Sequence, residues 1–144
     1  MQGKGEPMDP AIELSEDVRQ APEGENFWHL ATVNPSGSPQ VTTVWVHTRE
    51  GKILVNSALG RVKPRNIEHN PHVALAWHEH HEGGYHSMQI QGRVVETIVG
   101  EQAEADIDSL AQKYIGQTPY PWRGDGERRV TFLIEPTHAM AMGG

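Results

Sequence analysis

The chain has 144 residues, 36% of them hydrophobic, which is enough for one domain with a real core. Its formal charge of −7, from 12 basic and 19 acidic residues, argues against the broad basic stripe that tracks a nucleic-acid backbone. With no cysteine, a disulfide framework, a thiolate nucleophile and a sulfur-ligated metal are excluded.

Residues 1–11 combine glycine, proline and charge with little to bury. They are expected to form a flexible segment ahead of a single domain over 12–144. They lack the apolar core of a signal peptide, and no apolar run approaches the ~20 residues that span a bilayer. The expectation is a cytoplasmic protein that binds neither membrane nor nucleic acid. Ser15-Glu16-Asp17 reads as an N-cap with an acidic first turn, opening a short helix over 16–21 that Pro22 helps to end.

Residues 27–33 read as a strand, 34–39 as a hairpin loop dense in turn formers, and 41–47 as a second strand, β-branched and aromatic almost throughout. A polar turn over 48–52 leads to a third strand at 53–57, so the three form an antiparallel meander.

The stretch from Asn56 to Asn70 follows, with Arg61, Lys63 and Arg65 inside five positions. Proline suits the first helical position and disfavours helical geometry in the residue before it, so a helix is expected from Pro64 with Lys63 in the capping slot. Lysine carries no acceptor for the free N–H groups of that turn. Those donors, the helix dipole and the three cations together suit an anion such as a phosphate. Asn70-Pro71 closes the helix.

Strand four spans 72–78, a His- and Gly-rich tip 79–84, and a long strand 85–97 in which Met88, Ile90, Val94 and Ile98 keep even parity. Gly92 marks a bulge or bend. Residues 101–115 form the clearest helix, with Ala103, Ile107, Leu110, Ala111 and Tyr114 at spacings of three and four. A Pro-, Tyr-, Trp- and Gly-containing loop covers 116–126. A last strand spans 129–135, ended by Pro136, with a tail strand over 138–142. These parts make a mainly β fold: a small antiparallel β-barrel with helical decoration.

The motifs for nucleophilic chemistry are missing. There is no Gly-x-Ser-x-Gly elbow and no carboxylate pair isolated in an apolar setting, so no catalytic side chain is singled out. His78, Glu79, His80, His81, Glu82 and His86 form a constellation that suits zinc or nickel by residue type. They lie on a solvated hairpin tip with two glycines, and the reading is a polar tip with no metal site.

The order of these elements resembles the pyridoxamine 5′-phosphate oxidase-like split β-barrel superfamily, and within it the deazaflavin (coenzyme F420)-dependent oxidoreductases. The resemblance is carried by His29-Leu30-Ala31-Thr32, Gly37-Ser38-Pro39-Gln40, Val44-Trp45-Val46 and Asn56-Ser57. It continues through Arg61-Val62-Lys63-Pro64-Arg65-Asn66-Ile67 with Pro71, then Gly92-Arg93-Val94, Lys113-Tyr114, Arg128-Arg129-Val130 and Pro136-Thr137-His138. Pro64 departs from the family, which often has a helix former there.

The resemblance implies a six-stranded split β-barrel of the FMN-binding-protein type. It also implies a homodimer with a deazaflavin at the interface and hydride transfer to a small electron-poor substrate. The family's phosphate-binding Arg-x-Lys falls on Arg61 and Lys63, with Val62, Arg65 and Asn66 in the same segment. Its ring-side strand residues fall on Thr42, Thr43 and Ser57, and its aromatic from the other chain on Tyr85. Thr42 and Thr43 point to opposite faces of one strand, so only one of them is expected at the pocket. FMN also presents a phosphate, so an FMN-dependent oxidase or reductase is the alternative, as is a non-catalytic flavin, deazaflavin or haem carrier. Tyr120, a histidine or water is left open as the proton source.

Overall fold

A computed structural model describes residues 16–143. The flexible segment expected over 1–11 and the N-cap expected at Ser15 lie outside them. The fold is mainly β, an antiparallel split β-barrel with helical decoration. Its strands are β1 (Trp28–Val33), β2 (Pro39–Val44), β3 (His47–Arg49), β4 (Lys52–Ala58), β5 (His72–His81), β6 (Gly84–Val99) and β7 (Arg129–Gly143). The helices are α1 (Glu16–Gln20), continued by a 3₁₀ turn at Ala21–Glu23, then α2 (Val62–His69) and α3 (Glu101–Ile115). The sheet has seven strands rather than the six expected, in the order β2-β1-β5-β6-β7-β4-β3.

The extra strand comes from a corner inside the expected strand 41–47. Its first half pairs with β1 at one sheet edge, and its last residue, His47, begins β3 at the other. The expected meander therefore does not form: β1 lies between β2 and β5, and β4 between β3 and β7. Laid flat, the outer strands would stand about 29 Å apart. Only Trp45 and Val46 join them, a reach of about 11 Å at most. The sheet must therefore curl until its edges meet at this corner, and the barrel is split there.

Val46 has no ladder position between β2 and β3, so its backbone groups need other partners. Residues of α3 supply them. Tyr114 Oη accepts from Val46 N at 3.2 Å and donates to Asn26 O at 2.8 Å. Lys113 Nζ donates to Val46 O at 2.6 Å and to Pro22 O at 2.8 Å.

The barrel interior is filled by residues such as Trp28, Leu30, Ile53, Leu75, Ile90 and Ile134. A second layer, Leu54, Ile107, Leu110 and Leu133, glues α3 to the outside. Strand β4 is buried on both faces for this reason: Ile53 and Val55 serve the barrel and Leu54 serves α3.

The bulge expected at Gly92 is present, as the β6–β7 register shifts between Gln91 and Gly92. A Cβ on Gly92 would lie 2.6 Å from Ile134 Cγ2 and 2.9 Å from Glu135 O, so only glycine fits this approach. The bulge also overturns one expectation. Pro136 does not end the last strand; it sits opposite Gly92 at the irregularity, and β7 runs on to Gly143. A proline is tolerated in a ladder where the hydrogen-bond pattern is already interrupted. The His-rich segment is likewise more regular than expected, with β5 and β6 paired out to His81 and Gly84. Among the described residues no group of three or more His, Asp or Glu side chains is arranged to hold a metal. Among the described residues no helix is long and apolar enough to cross a membrane.

Candidate functional site

Helix α2 begins two residues earlier than expected. A turn through Gly60, at φ 92°, closes with Arg61 N donating to Ala58 O at 3.2 Å. Arg61 then takes the capping position with extended backbone, and Lys63 is helical rather than extended. Pro64 at the third helical position loses nothing, because the first four N–H groups of a helix have no intrahelical partner. Arg61 makes no side-chain cap. The expected absence of an acceptor at the cap therefore holds with arginine in the role given to lysine.

Beside this helix start lies a crevice of about 200 Å³. The ends of β2 and β4 supply Thr43 and Ser57, the cap and first turn of α2 supply Arg61 and Lys63, and the loop and start of β7 supply Tyr120, Trp122 and Arg129. Trp45, at the barrel corner, forms much of the aromatic wall. It stacks on Tyr114 at 5.5 Å and meets Tyr120 edge-on at 6.1 Å and Trp122 at 6.2 Å. The loop is fastened to α3, with Tyr120 N donating to Asp108 Oδ1 at 2.9 Å and Arg123 paired with both Glu104 and Asp108.

Three cations, Arg61, Lys63 and Arg129, line this crevice. Arg129 is 3% exposed. Its Nε donates to Asn56 Oδ1 at 2.9 Å, its Nη1 to Glu127 Oε2 at 2.6 Å, and its guanidinium lies 5.2 Å from the Tyr120 ring centre. Arg61 pairs with the other oxygen of Glu127 at 3.3 Å. The Lys63 ammonium has no hydrogen bond or ion pair among the described residues. Burial first, and then the charges of Arg61 and Arg129, hold its pKa below the ordinary lysine value. Ser57, also on the lining, is 2% exposed, and its Oγ has no hydrogen-bond partner among the described residues.

Of the nine cofactor residues expected from the sequence, the crevice brings together Thr43, Ser57, Arg61 and Lys63. The alternation of β2 turns Thr42 away: it pairs with Leu30 on the face of the barrel core. Val62 is an exposed residue outside the crevice lining. Asn66 is fully buried, and its Nδ2 donates to Thr32 Oγ1 at 3.0 Å and Asn34 Oδ1 at 2.9 Å, latching α2 onto β1 and its hairpin. Tyr85 lies near the β5–β6 tip, edge-on to His80, with its Oη 3.4 Å from Met142 Sδ. Arg65 lies on the other flank of α2, lining a larger cleft of about 700 Å³. There the cations Arg61 and Arg65 face Glu68 and Glu96, and no residue of that lining carries an unpartnered buried polar atom. Arg129 is not among the residues expected at the site, because an arginine at a strand start is unremarkable in sequence. Its Arg-Arg-Val context was the available signal.

The donor set suits a phosphate-bearing ring. Lys63 and Arg61 present positive charge at a helix start, where free N–H groups also face outward. The unpartnered Ser57 hydroxyl and the aromatic wall suit a polar-edged planar system.

Barrel and crevice together define a split β-barrel with a cation-lined, aromatic-walled crevice. The chain belongs to the pyridoxamine 5′-phosphate oxidase family, whose pattern it matches over residues 14–140. No curated protein sequence matches it significantly. Among solved structures it is similar to one named F420 reductase, with 26% identity over 90% of this chain and 98% of that one and a TM-score of 0.72. A conserved hypothetical protein of Mycobacterium tuberculosis shares the fold at 18% identity, covering 95% of this chain and 89% of that one, with a TM-score of 0.68. A heme-binding protein of Mycobacterium smegmatis shares it at 15% identity, covering 91% and 54%, with a TM-score of 0.67.

Proposed function

We propose that the chain is an F420-dependent oxidoreductase, acting as a homodimer, that reduces a small electron-poor organic substrate such as an activated C=C bond. The observation that carries this reading is the half-buried, unpartnered Lys63 ammonium beside two guanidiniums, in a crevice walled by Trp45 and Tyr120. The similarity to the structure named F420 reductase favours the deazaflavin over other flavin-type cofactors of the family.

In this reading Lys63 and Arg61 hold the phosphate, Thr43 and Ser57 meet the ring side, and a bound reduced deazaflavin supplies hydride. Trp45, Tyr120 and Trp122 exclude water and orient the substrate by shape, so catalysis is mainly proximity. Of the proton sources left open above, Tyr120 is the one on the crevice lining, able to hold a proton at Oη.

A crevice of about 200 Å³ is smaller than a typical ligand pocket of ~300–1,000 Å³, which favours a site completed by a second chain. Thr43 pairs with His29, a residue of the outer sheet face beside Val41, so this face and the crevice are contiguous. Tyr85 of the second copy is the aromatic assigned to the ring.

Oxidised F420 and FMN, titrated separately while tryptophan fluorescence is followed, test the cofactor. Trp45 and Trp122 line the crevice, so saturable quenching by F420 at micromolar concentration is expected. Saturable binding of FMN with none of F420 overturns the assignment in favour of a flavin enzyme.

A further inference from the structure

Two of the three cations on the crevice lining, Arg61 and Arg129, are paired with one carboxylate, Glu127, beside it. Glu127 follows Gly126, which has φ 70°, and its side chain is 11% exposed. It bridges two unlike cations. On one side, Oε2 accepts from the buried Arg129 at 2.6 Å. Arg129 is also held without Glu127, by Asn56 Oδ1 and the Tyr120 ring. Asn56 is itself fixed, its Nδ2 donating to Ala103 O at 3.0 Å and Thr131 Oγ1 at 2.9 Å. On the other side, Oε1 accepts from Arg61 at 3.3 Å, and the Arg61 side chain is 52% exposed. Lys63, the third cation, makes no bond to this carboxylate.

We infer that Glu127 is a built-in occupant of the anion site and sets how much negative charge the crevice accepts. This rests on reading the crevice as a phosphate site. With three cations on its lining and one carboxylate paired to two of them, the crevice keeps positive charge to spare, but Arg61 is engaged by protein rather than by ligand. An entering phosphate exchanges partners with Glu127 at the weak, exposed end. Arg61 turns to the phosphate through side-chain rotation alone, while the buried Arg129–Glu127 contact stays. Arg129 is thus a positioning residue: it anchors the competing carboxylate and adds positive potential at the site. The class of ligand favoured is one with a single phosphate group, since Glu127 repels a second anionic group placed beside the first.

The test is titration of inorganic phosphate, at constant ionic strength, into the wild type, Glu127→Gln and Lys63→Ala, followed by tryptophan fluorescence. The glutamine amide keeps an acceptor for Arg129 and removes one negative charge. Glu127→Gln is therefore expected to bind phosphate roughly fivefold to tenfold more tightly, and Lys63→Ala more weakly. If Glu127→Gln binds no more tightly while Lys63→Ala weakens binding, Glu127 is only a brace and the inference alone fails. If phosphate binds neither the wild type nor Glu127→Gln, the inference and the phosphate-site reading fail together. Arginine Nε–H NMR on the wild type gives a second measurement that needs no variant. Phosphate is expected to move the Arg61 signal well beyond that of Arg129; equal movement of both overturns the inference.

Discussion

At the residue scale, the site is defined by groups whose bonding is incomplete in the protein alone. Ser57 has a buried hydroxyl without a partner, and Lys63 a half-buried ammonium without one. A buried polar group left unmade costs about 1–3 kcal/mol, so such a group on the lining of a crevice calls for a partner from outside the chain. Asn66 differs in its donor end, although its Oδ1 is also buried without a partner among the described residues. Its sequence position beside the basic residues suggests a ligand contact, but its amide donates twice within the fold, to Thr32 and Asn34. Sequence neighbours on a helix face different ways, and motif membership cannot distinguish a latch from a ligand contact. Ser57→Ala is expected to leave stability within about 1 kcal/mol of wild type, since no protein bond is lost. The same substitution should weaken cofactor binding roughly threefold to tenfold; thermal denaturation and the fluorescence titration measure the two effects.

At the element scale, α3 is the member that holds the barrel corner and the crevice together. Its sequence reading succeeded at both ends because the information is local: apolar spacing along the helix and Gly116 in the left-handed conformation at its C-terminus. The corner at Trp45 and Val46 was not legible. Its cause lies 68 residues away, in the Tyr114 hydroxyl that takes up the Val46 N–H. Pro136 misled for a related reason, since its tolerance depends on Gly92 in the neighbouring strand.

Helix α3 also carries Asp106, which accepts from Arg49 at 2.5 Å, Gln102 at 2.9 Å and Thr131 at 2.7 Å. Thr131 and Asn56 extend this network to Arg129 in the crevice. Burial pushes the Asp106 carboxyl up, but the bonds from Arg49, Thr131 and Gln102 and the charge of Arg49 outweigh it, and its pKa lies below the ordinary value. A carboxyl depressed on folding stabilises the protein above its unfolded pKa of about 3.8, and that contribution is lost as pH falls through the lower folded value. Asp106→Asn is expected to destabilise the fold by about 2–4 kcal/mol at pH 7. It should also flatten the acid limb of a stability–pH curve measured by urea denaturation. An unchanged acid limb would place the pH sensitivity in other carboxylates.

At the scale of the whole molecule, the fold class was legible because strand and helix patterns recur in a fixed order. Sheet order was not, since it depends on which edges meet. The outer face of β1, β2 and β5 presents Ala31, Ala74, Ala76 and Val41, the last 62% exposed. Small apolar side chains across a sheet allow close approach of a second sheet and suit a self-complementary interface. Sedimentation at micromolar concentration is expected to show a dimer, and Ala74→Arg a monomer with much weakened cofactor binding. A monomeric wild type that binds cofactor fully would confine the site to one chain.

The central claim is that the start of α2 holds the phosphate of a redox cofactor, and Lys63→Ala addresses it most directly. Lys63 has no protein partner among the described residues, so its loss should spare the fold. Each charge-assisted bond to a phosphate is worth about 1.5–3 kcal/mol. Calorimetric titration of F420 is expected to give a dissociation constant at least about tenfold weaker in the variant, with an unchanged melting temperature. Equal affinity in the two proteins would contradict the account and place the phosphate elsewhere.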